Sequence, residues 1–493
     1  MVGAVVRGAK RGAAMGVVMG VVMRTVWGAV WGVILLAACA AQAAQGLPPA
    51  VRSAMERAGV PAEALSAVVL DTISGRPLLQ WQETRPVNPA SLTKLLTTTA
   101  ALDRLGPAWT WATPVWLTGP VKDGVLDGAL VIKGSGDPKL VIERVWLLLR
   151  RVQQAGVREI RGDIVLDNSA FAVPDTPPGD FDGEPLRPYN VKPAALLFNF
   201  RSVTYSFVPD VAAGVARISV EPPLAGTAVD RTVLLAAGAC EDWRAALKPS
   251  FEVGRTRFAG AYATACGEQA WAVADAQPAS FEPRLIEALW REMGGTLTGS
   301  VREGSAPSEL KPSFELRSPP LAELVRDINK FSNNVMAQQL FLSLALQANP
   351  RAPATPDSAR AELLRWISDR TGPLGDEVII DNGSGLSRHT RISAQRLGKL
   401  LAQTFDSPVM SELMSSLPVS GLDGTMRRSR VMPGRAHLKT GSLRDVAAVA
   451  GYVLTNSGRH LVLVAVVNHP QAGAARPALE ALVQWALRDA PAH

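Results

Sequence analysis

The sequence predicts an α+β protein with more than one domain, and three observations carry that prediction. At 493 residues the chain is longer than one hydrophobic core serves. Helical spacing of apolar residues recurs toward both ends, while residues from about 113 to 275 read as short strands punctuated by glycine. Near the C-terminus, 436–440, 447–454 and 461–467 are apolar strand patterns, with Asn456-Ser457-Gly458 turning between the last two.

The N-terminus reads as an export signal. Arg24 precedes the apolar run 26–38, and Ala41-Gln42-Ala43 offers a small-residue cleavage site, so residues 1–43 are assigned to a signal peptide. Leu36-Ala37-Ala38-Cys39 also fits a bacterial lipoprotein signal that would leave Cys39 lipidated, second to cleavage after Ala43, and a retained membrane anchor is the third reading. Translation from Met23 would give a signal of ordinary length. All three readings place the body of the chain outside the cytoplasm, in the periplasm, and with the signal removed at most peripheral membrane association is expected. The formal charge of +7 shrinks to +3 once Arg7, Lys10, Arg11 and Arg24 are set aside, so no nucleic-acid partner is expected. Cys240 and Cys266 then remain as an even pair in an oxidising compartment and predict a disulfide, two buried thiols being the alternative.

Downstream of the signal, 46–59 reads as a helix, and 66–70 and 77–81 as strands joined at Ser74-Gly75. The stretch 88–106 reads as the start of a buried helix. Apolar Leu92, Leu95, Leu96, Leu102 and Leu105 share its inner side, and Gly106-Pro107 ends it. Ser91 and Lys94 are three apart, so they lie on one face, a turn apart. Free N–H groups at a helix start favour developing negative charge, and an amine with lowered pKa beside a hydroxyl makes it a nucleophile. In the β-rich stretch, 203–208, 215–220 and 232–235 are candidate strands, a helix covers about 139–155, and Asp137 reads as a turn residue. Beyond it, 281–293 is a helix, 303–320 a polar proline-marked linker, and 321–346 one long helical pattern. Helices at 360–369 and 393–405 bracket a tight glycine-rich loop at 381–388, and 474–489 closes the chain as an amphipathic helix. The five histidines are scattered without ligand spacing, so no metal is expected, and neither a phosphate loop nor a dinucleotide fingerprint points to a cofactor.

Three motifs far apart in sequence carry the chemistry: Ser91-x-x-Lys94 at a helix start, Ser332-Asn333-Asn334 in a helix–loop context within the long helical pattern, and Lys439-Thr440-Gly441 in a strand. A second Ser-x-x-Lys, Ser308 to Lys311, falls in the linker with no helix behind it, which is what a chance match looks like. The ordered set, each motif in its required context, resembles the serine penicillin-binding proteins and β-lactamases. Further stretches at 134–138, 162–171, 381–388, 417–425 and 439–443 are similar to the D-alanyl-D-alanine carboxypeptidases/endopeptidases of the low-molecular-mass class C penicillin-binding proteins. About 240 residues separate Ser91 from Ser332, and that family is known for large insertions there.

The resemblance implies a β-lactamase/transpeptidase-like catalytic domain, an antiparallel sheet flanked by helices, assembled from residues 47–112 and 276–493. Residues 113–275 would be a large β-rich insertion of two nested domains. It implies Ser91 as nucleophile, Lys94 as base, Ser332 and Lys439 passing a proton to the leaving nitrogen, and Asn334 holding Lys94 and the substrate amide. Thr440, Gly441 and Ser442 would bind substrate along the strand. Asp167 and Arg388 would pair the zwitterionic end of a diaminopimelate side chain, or else Asp167 caps a turn and Arg388 braces its loop. The implied partners are peptidoglycan stem peptides and β-lactam antibiotics, and the implied activity is that of a serine DD-peptidase. Two rival functions stay in view: a serine β-lactamase, and a non-catalytic wall-binding protein of the same fold.

Overall fold

Two helical stretches and a hairpin open the described part of the chain, and their apolar faces find partners several hundred residues away. The computed structural model describes residues 46–488; the export signal, its cleavage site and Cys39 lie outside them. Helix α1 (Pro49–Arg57) starts at a proline, whose missing N–H costs nothing there, and buries Val51, Ala54 and Met55. Strands β1 (Leu65–Asp71) and β2 (Pro77–Trp81) form the expected hairpin. Helix α2 (Thr93–Leu105) is buried along most of its length and stops at Gly106.

The chain then leaves for the inserted region. Strands β3 (Ala112–Leu117) and β4 (Leu130–Lys133), helix α3 (Ile142–Gln154) and β5 (Ile164–Asp167) come first. A second sheet follows, built on β6 (Ser202–Asp210) and β7 (Val215–Glu221), flanked by Thr232–Ala236, Ala261–Ala263 and Gln269–Ala274. Phe207, Trp243, Phe258 and Tyr262 pack edge-on or stacked inside it, and Cys240 and Cys266 are joined as expected.

Here the expected boundary at 275/276 moves. Helix α4 (Phe281–Glu292) buries Phe281, Leu285, Ile286 and Trp290 in the core of the inserted region. Strands β8 (Val301–Glu303) and β9 (Phe314–Arg317) lie inside the stretch read as linker. They pair with β5 and β3, closing a five-stranded sheet in the order β8-β5-β4-β3-β9. By strand pairing, the insertion runs from Ala112 to Arg317, and the sheet on β6 and β7 is nested within it. The decoy Ser308 and Lys311 are exposed coil between β8 and β9.

The long helical pattern 321–346 is two helices, α5 (Leu321–Phe331) and α6 (Asn334–Ala348). Ser332 between them takes the left-handed conformation, φ 56°, ψ 38°, and the Asn333 side chain caps α6 through Met336 N–H. Helix α7 (Ala394–Phe405) leads toward the last strands, β10 (Ala436–Leu443), β11 (Val446–Leu454) and β12 (His460–Asn468), and the chain's last described helix is α8 (Arg476–Leu487). The central sheet is antiparallel throughout, in the order β2-β1-β12-β11-β10, so strands from both ends of the chain share it. Alternation along β11 and β12 sends Ala448, Ala450, Val462 and Val464 to the side of α2 and α6, and Ala447, Val449, Leu461 and Leu463 to the side of α1 and α8. Among the described residues no helix is long and apolar enough to cross a membrane.

Candidate active site

The edge strand β10 is pressed against the turn that precedes α2. A side chain at Gly441 would sit 2.8 Å from the Pro89 carbonyl oxygen, so only glycine allows this approach. On the turn, Ala90 holds a φ of 48°, and Ala90–Leu92 is a single 3-10 turn feeding α2. A non-glycine residue in that region is strained, and the surroundings must impose it. Asn88 does so from one side: its Oδ1 accepts from Ala90 N–H at 2.9 Å and its Nδ2 donates to Ser387 O at 2.9 Å. Asn468, at the end of β12, clamps Asn88 from the other, accepting from its N–H at 2.7 Å and donating to its carbonyl at 3.0 Å.

The strained turn delivers Ser91 next to Lys94. Lys94 is fully buried, and its Nζ donates to Ser91 Oγ at 3.1 Å, to Asn334 Oδ1 at 2.6 Å and to Ser384 O at 2.6 Å. No carboxylate lies within ion-pair distance of it among the described residues. Burial, and then the charge of Lys439, pushes the Lys94 amine well below the ordinary lysine range. Lys439 is buried too; its Nζ donates to Ser332 Oγ at 2.9 Å and to Thr440 O at 2.7 Å, and desolvation lowers it to about 7. The left-handed bend at Ser332 is what turns that hydroxyl toward Lys439. Ser91, Lys94, Ser332, Asn334 and Lys439 are thus brought together from segments up to about 350 residues apart.

Thr440 and Ser442 lie on the opposite face of β10 from Lys439 and Gly441. Thr440 Oγ1 donates to Thr425 Oγ1 at 2.7 Å, and Ser442 Oγ accepts from Arg476 at 3.2 Å. Arg388 bonds Asp445 at 3.0 Å with its guanidinium 4.7 Å over the Phe181 ring, and it lines a cavity of about 360 Å³ with Asp180, Asp381, Asn382 and Lys192.

Asp167 does not share that cavity. Its oxygens accept from Ser169 N–H and Ala306 N–H, both at 2.8 Å, and it is almost fully buried. Burial alone would raise its carboxyl, but these donors and nearby Lys133 hold it below the usual range. Asp167 is not among the residues lining the Arg388 cavity, whose carboxylates are Asp180 and Asp381, while the carboxylate bonded to Arg388 is Asp445. Asp137 accepts from Lys139 N–H at 2.8 Å, the turn role expected of it.

Several site-building residues were not singled out in the sequence: Asn88, Asn468, Ser384, Thr425 and Arg476. Asn88 and Thr425 fall within the stretches 88–106 and 417–425 already noted, Asn468 and Arg476 left no signal, and Ser384 left the clearest one. It sits in the glycine-rich loop, where a side chain at Gly385 would meet Ala90 O at 1.9 Å, so the glycine marks a close backbone approach.

Residues 50–488 match the model of the D-Ala-D-Ala carboxypeptidase 3 (S13) family. The chain is 28% identical over 458 residues to a D-alanyl-D-alanine carboxypeptidase of Actinomadura sp. (strain R39), covering 86% of this chain and 81% of that one. It is 25% identical over 385 residues to the D-alanyl-D-alanine carboxypeptidase DacB of Haemophilus influenzae, covering 77% and 80% respectively. The fold is similar to the crystal structure of penicillin binding protein 4 (dacB) from Haemophilus influenzae, with a TM-score of 0.71 at 22% identity over 88% of this chain and 99% of that one. With the match spanning nearly every described residue, the chain belongs to the D-Ala-D-Ala carboxypeptidase 3 (S13) family of serine-type carboxypeptidases.

Proposed function

We propose that this chain is an exported, periplasmic DD-peptidase that hydrolyses the D-alanyl-D-alanine ends of peptidoglycan stem peptides through an acyl-enzyme on Ser91, and that it also opens D-alanyl-diaminopimelate cross-links. One observation supports this above the rest: a buried Lys94 amine, held below its ordinary pKa, lies 3.1 Å from the Ser91 hydroxyl with its other bonds fixed by Asn334 and Ser384. In this reading Ser91 Oγ attacks the carbonyl of the penultimate D-alanine and its proton passes to Lys94 Nζ. The oxyanion is received by the backbone N–H groups of Ser91 and Ser442. The C–N bond then breaks, and the departing nitrogen takes a proton from the Ser332 hydroxyl, which Lys439 supports at 2.9 Å and which is refilled by the proton held on Lys94, leaving that amine neutral again. Water hydrolyses the ester and frees Ser91.

The extended substrate lies antiparallel to β10, as in strand addition, with Asn334, Thr440, Gly441 and Ser442 along it. Arg388 with Asp180 and Asp381 would meet the zwitterionic end of a diaminopimelate side chain. A β-lactam acylates the same serine. The two rivals predict different outcomes. A β-lactamase would turn over a chromogenic cephalosporin, and nothing in the sequence resembles the glutamate-bearing deacylation loop of class A enzymes. A non-catalytic wall-binding protein has no need of a base and an acid relay kept together. The test is intact mass after penicillin. A stoichiometric adduct on Ser91, with release of D-alanine from purified muropeptides, supports the reading; a folded protein with no adduct ends it.

A further inference from the structure

The hydroxyl that protonates the departing nitrogen and the amine behind it stand on different elements. Ser332 lies in the bend after α5 and Lys439 on β10, yet Lys439 Nζ donates to Ser332 Oγ at 2.9 Å. The segment 416–423 touches both elements. Along β10, Leu438 N–H donates to Pro418 O and Ser420 N–H to Ala436 O, each at 2.9 Å, and Val419 bridges His437. These bonds stop one residue short of Lys439. The same segment grips the last turn of α5. Asn329 Nδ2 donates to Ser416 Oγ at 2.9 Å, and Lys330 Nζ donates to Asp423 Oδ2 at 2.6 Å. Asp423 Oδ1 accepts from Val419 N–H at 2.8 Å, so one carboxylate closes the segment on itself and onto Lys330. Burial alone would raise the Asp423 carboxyl, but Lys330 and the Val419 N–H hold it below the usual range. Only 5% of the Lys330 side chain is exposed, against 39% of Asp423. A cation that deep needs its partner, so the pair pins the turn that leads into Ser332. Among the described residues, no hydrogen bond joins Lys330 or Asp423 to Ser91 or Lys94.

We propose that Lys330 and Asp423 are positioning residues for the proton relay: their ion pair holds the bend after α5 against β10 and so keeps Ser332 Oγ within reach of Lys439 Nζ. The inference rests on the acyl-enzyme reading above and adds to it the device that sets the relay's geometry. A proton donor displaced by about an ångström loses much of its effect. A departing amine must be protonated as it leaves, whereas the alkoxide of a hydroxy acid needs that proton far less. Loosening the pair therefore penalises amide bonds selectively and leaves attack by Ser91 in place.

The test compares kcat/KM for an acyl-D-alanyl-D-alanine peptide and for the matching acyl-D-alanyl-D-lactate ester, in the full-length protein and in Lys330→Met, Lys330→Arg and Asp423→Asn. The two substrates differ only in the leaving atom, so a general loss of activity cancels in their ratio. We expect Lys330→Met to lower the amide value about tenfold and the ester value by no more than about twofold. Asp423→Asn, which keeps an acceptor for Val419 N–H, should split the substrates in the same direction, and it carries the test if Lys330→Met lacks a cooperative melting transition. Lys330→Arg keeps the charge and should recover part of the amide rate. Equal slowing of amide and ester in a folded variant, or no slowing of either, would overturn the inference and leave the acyl-enzyme reading standing. A folded wild-type protein that hydrolyses neither substrate and takes no penicillin adduct on Ser91 would overturn both.

Discussion

The inserted region and the catalytic site treat buried charge in opposite ways. In the insertion, Glu282 is almost wholly buried but faces Arg201 at 2.7 Å, and Arg284 grips Asp275 alongside. At the site, Lys94 and Lys439 are both fully buried and neither meets a carboxylate among the described residues. Burial pushes the Glu282 carboxyl up, with Arg201 opposing that shift, whereas among the described residues the two amines at the site have no counter-ion to oppose the desolvation that lowers them. The insertion thus uses its ions to fix packing, while the site keeps two amines away from counter-ions so that one of them can accept a proton. Unpaired groups of this kind cost stability, and they concentrate where chemistry needs them.

The largest break in that contrast is Ser91→Ala. It should abolish the penicillin adduct and the release of D-alanine while leaving the melting transition in place, as mass spectrometry and calorimetry on one sample would report. Next comes Glu282→Ala, which strands the guanidinium of Arg201 in the core of the insertion. It should cost roughly 3–5 kcal/mol in denaturant unfolding. The molecules that remain folded should still acylate at the wild-type rate, because no residue of the site touches that pair. Removing the Cys240–Cys266 link, which closes 26 residues, should cost roughly 2–4 kcal/mol and likewise spare acylation.

The pH dependence sharpens the comparison further. Acylation needs Lys94 neutral, so the rate should be present at neutral pH and fall as pH drops through the lowered pKa of Lys94. Lys439→Met removes a charge that helps hold that pKa down, so the acid limb should move to higher pH. The same variant should change the pH profile of stability. With Lys439 at about 7 when folded and near the ordinary value of 10.5 when unfolded, the unfolded chain binds more protons between those values. Wild-type stability should therefore gain from Lys439 as pH rises across that window, and the gain should be absent in Lys439→Met.

Much of the site was legible because short-range spacing spelled it. Ser91 and Lys94 share a helix face, and Lys439 and Thr440 share a strand, so local periodicity placed them. The bend at Ser332 was hidden, because apolar spacing runs on from α5 into α6; the cap-forming Ser-Asn-Asn was the only local sign of a break. The Asn88–Asn468 clamp joins residues 380 apart through amide groups, and no spacing rule reaches that far. The end of the insertion was misplaced for a different reason. Strands β8 and β9 lie at the two edges of their sheet and carry Arg302, Glu303, Glu315 and Arg317, so they lack the apolar alternation that marks a strand. Helix α4 announced its amphipathic face but not which core would receive it.

The central claim is that an uncharged Lys94 takes the proton of Ser91, and the acylation rate of Lys94→Met by benzylpenicillin at neutral pH tests it most directly. With the protein folded, the rate should fall by about a thousandfold or more relative to wild type. A rate within about threefold of wild type would contradict the account, since the hydroxyl would then be activated by some other group.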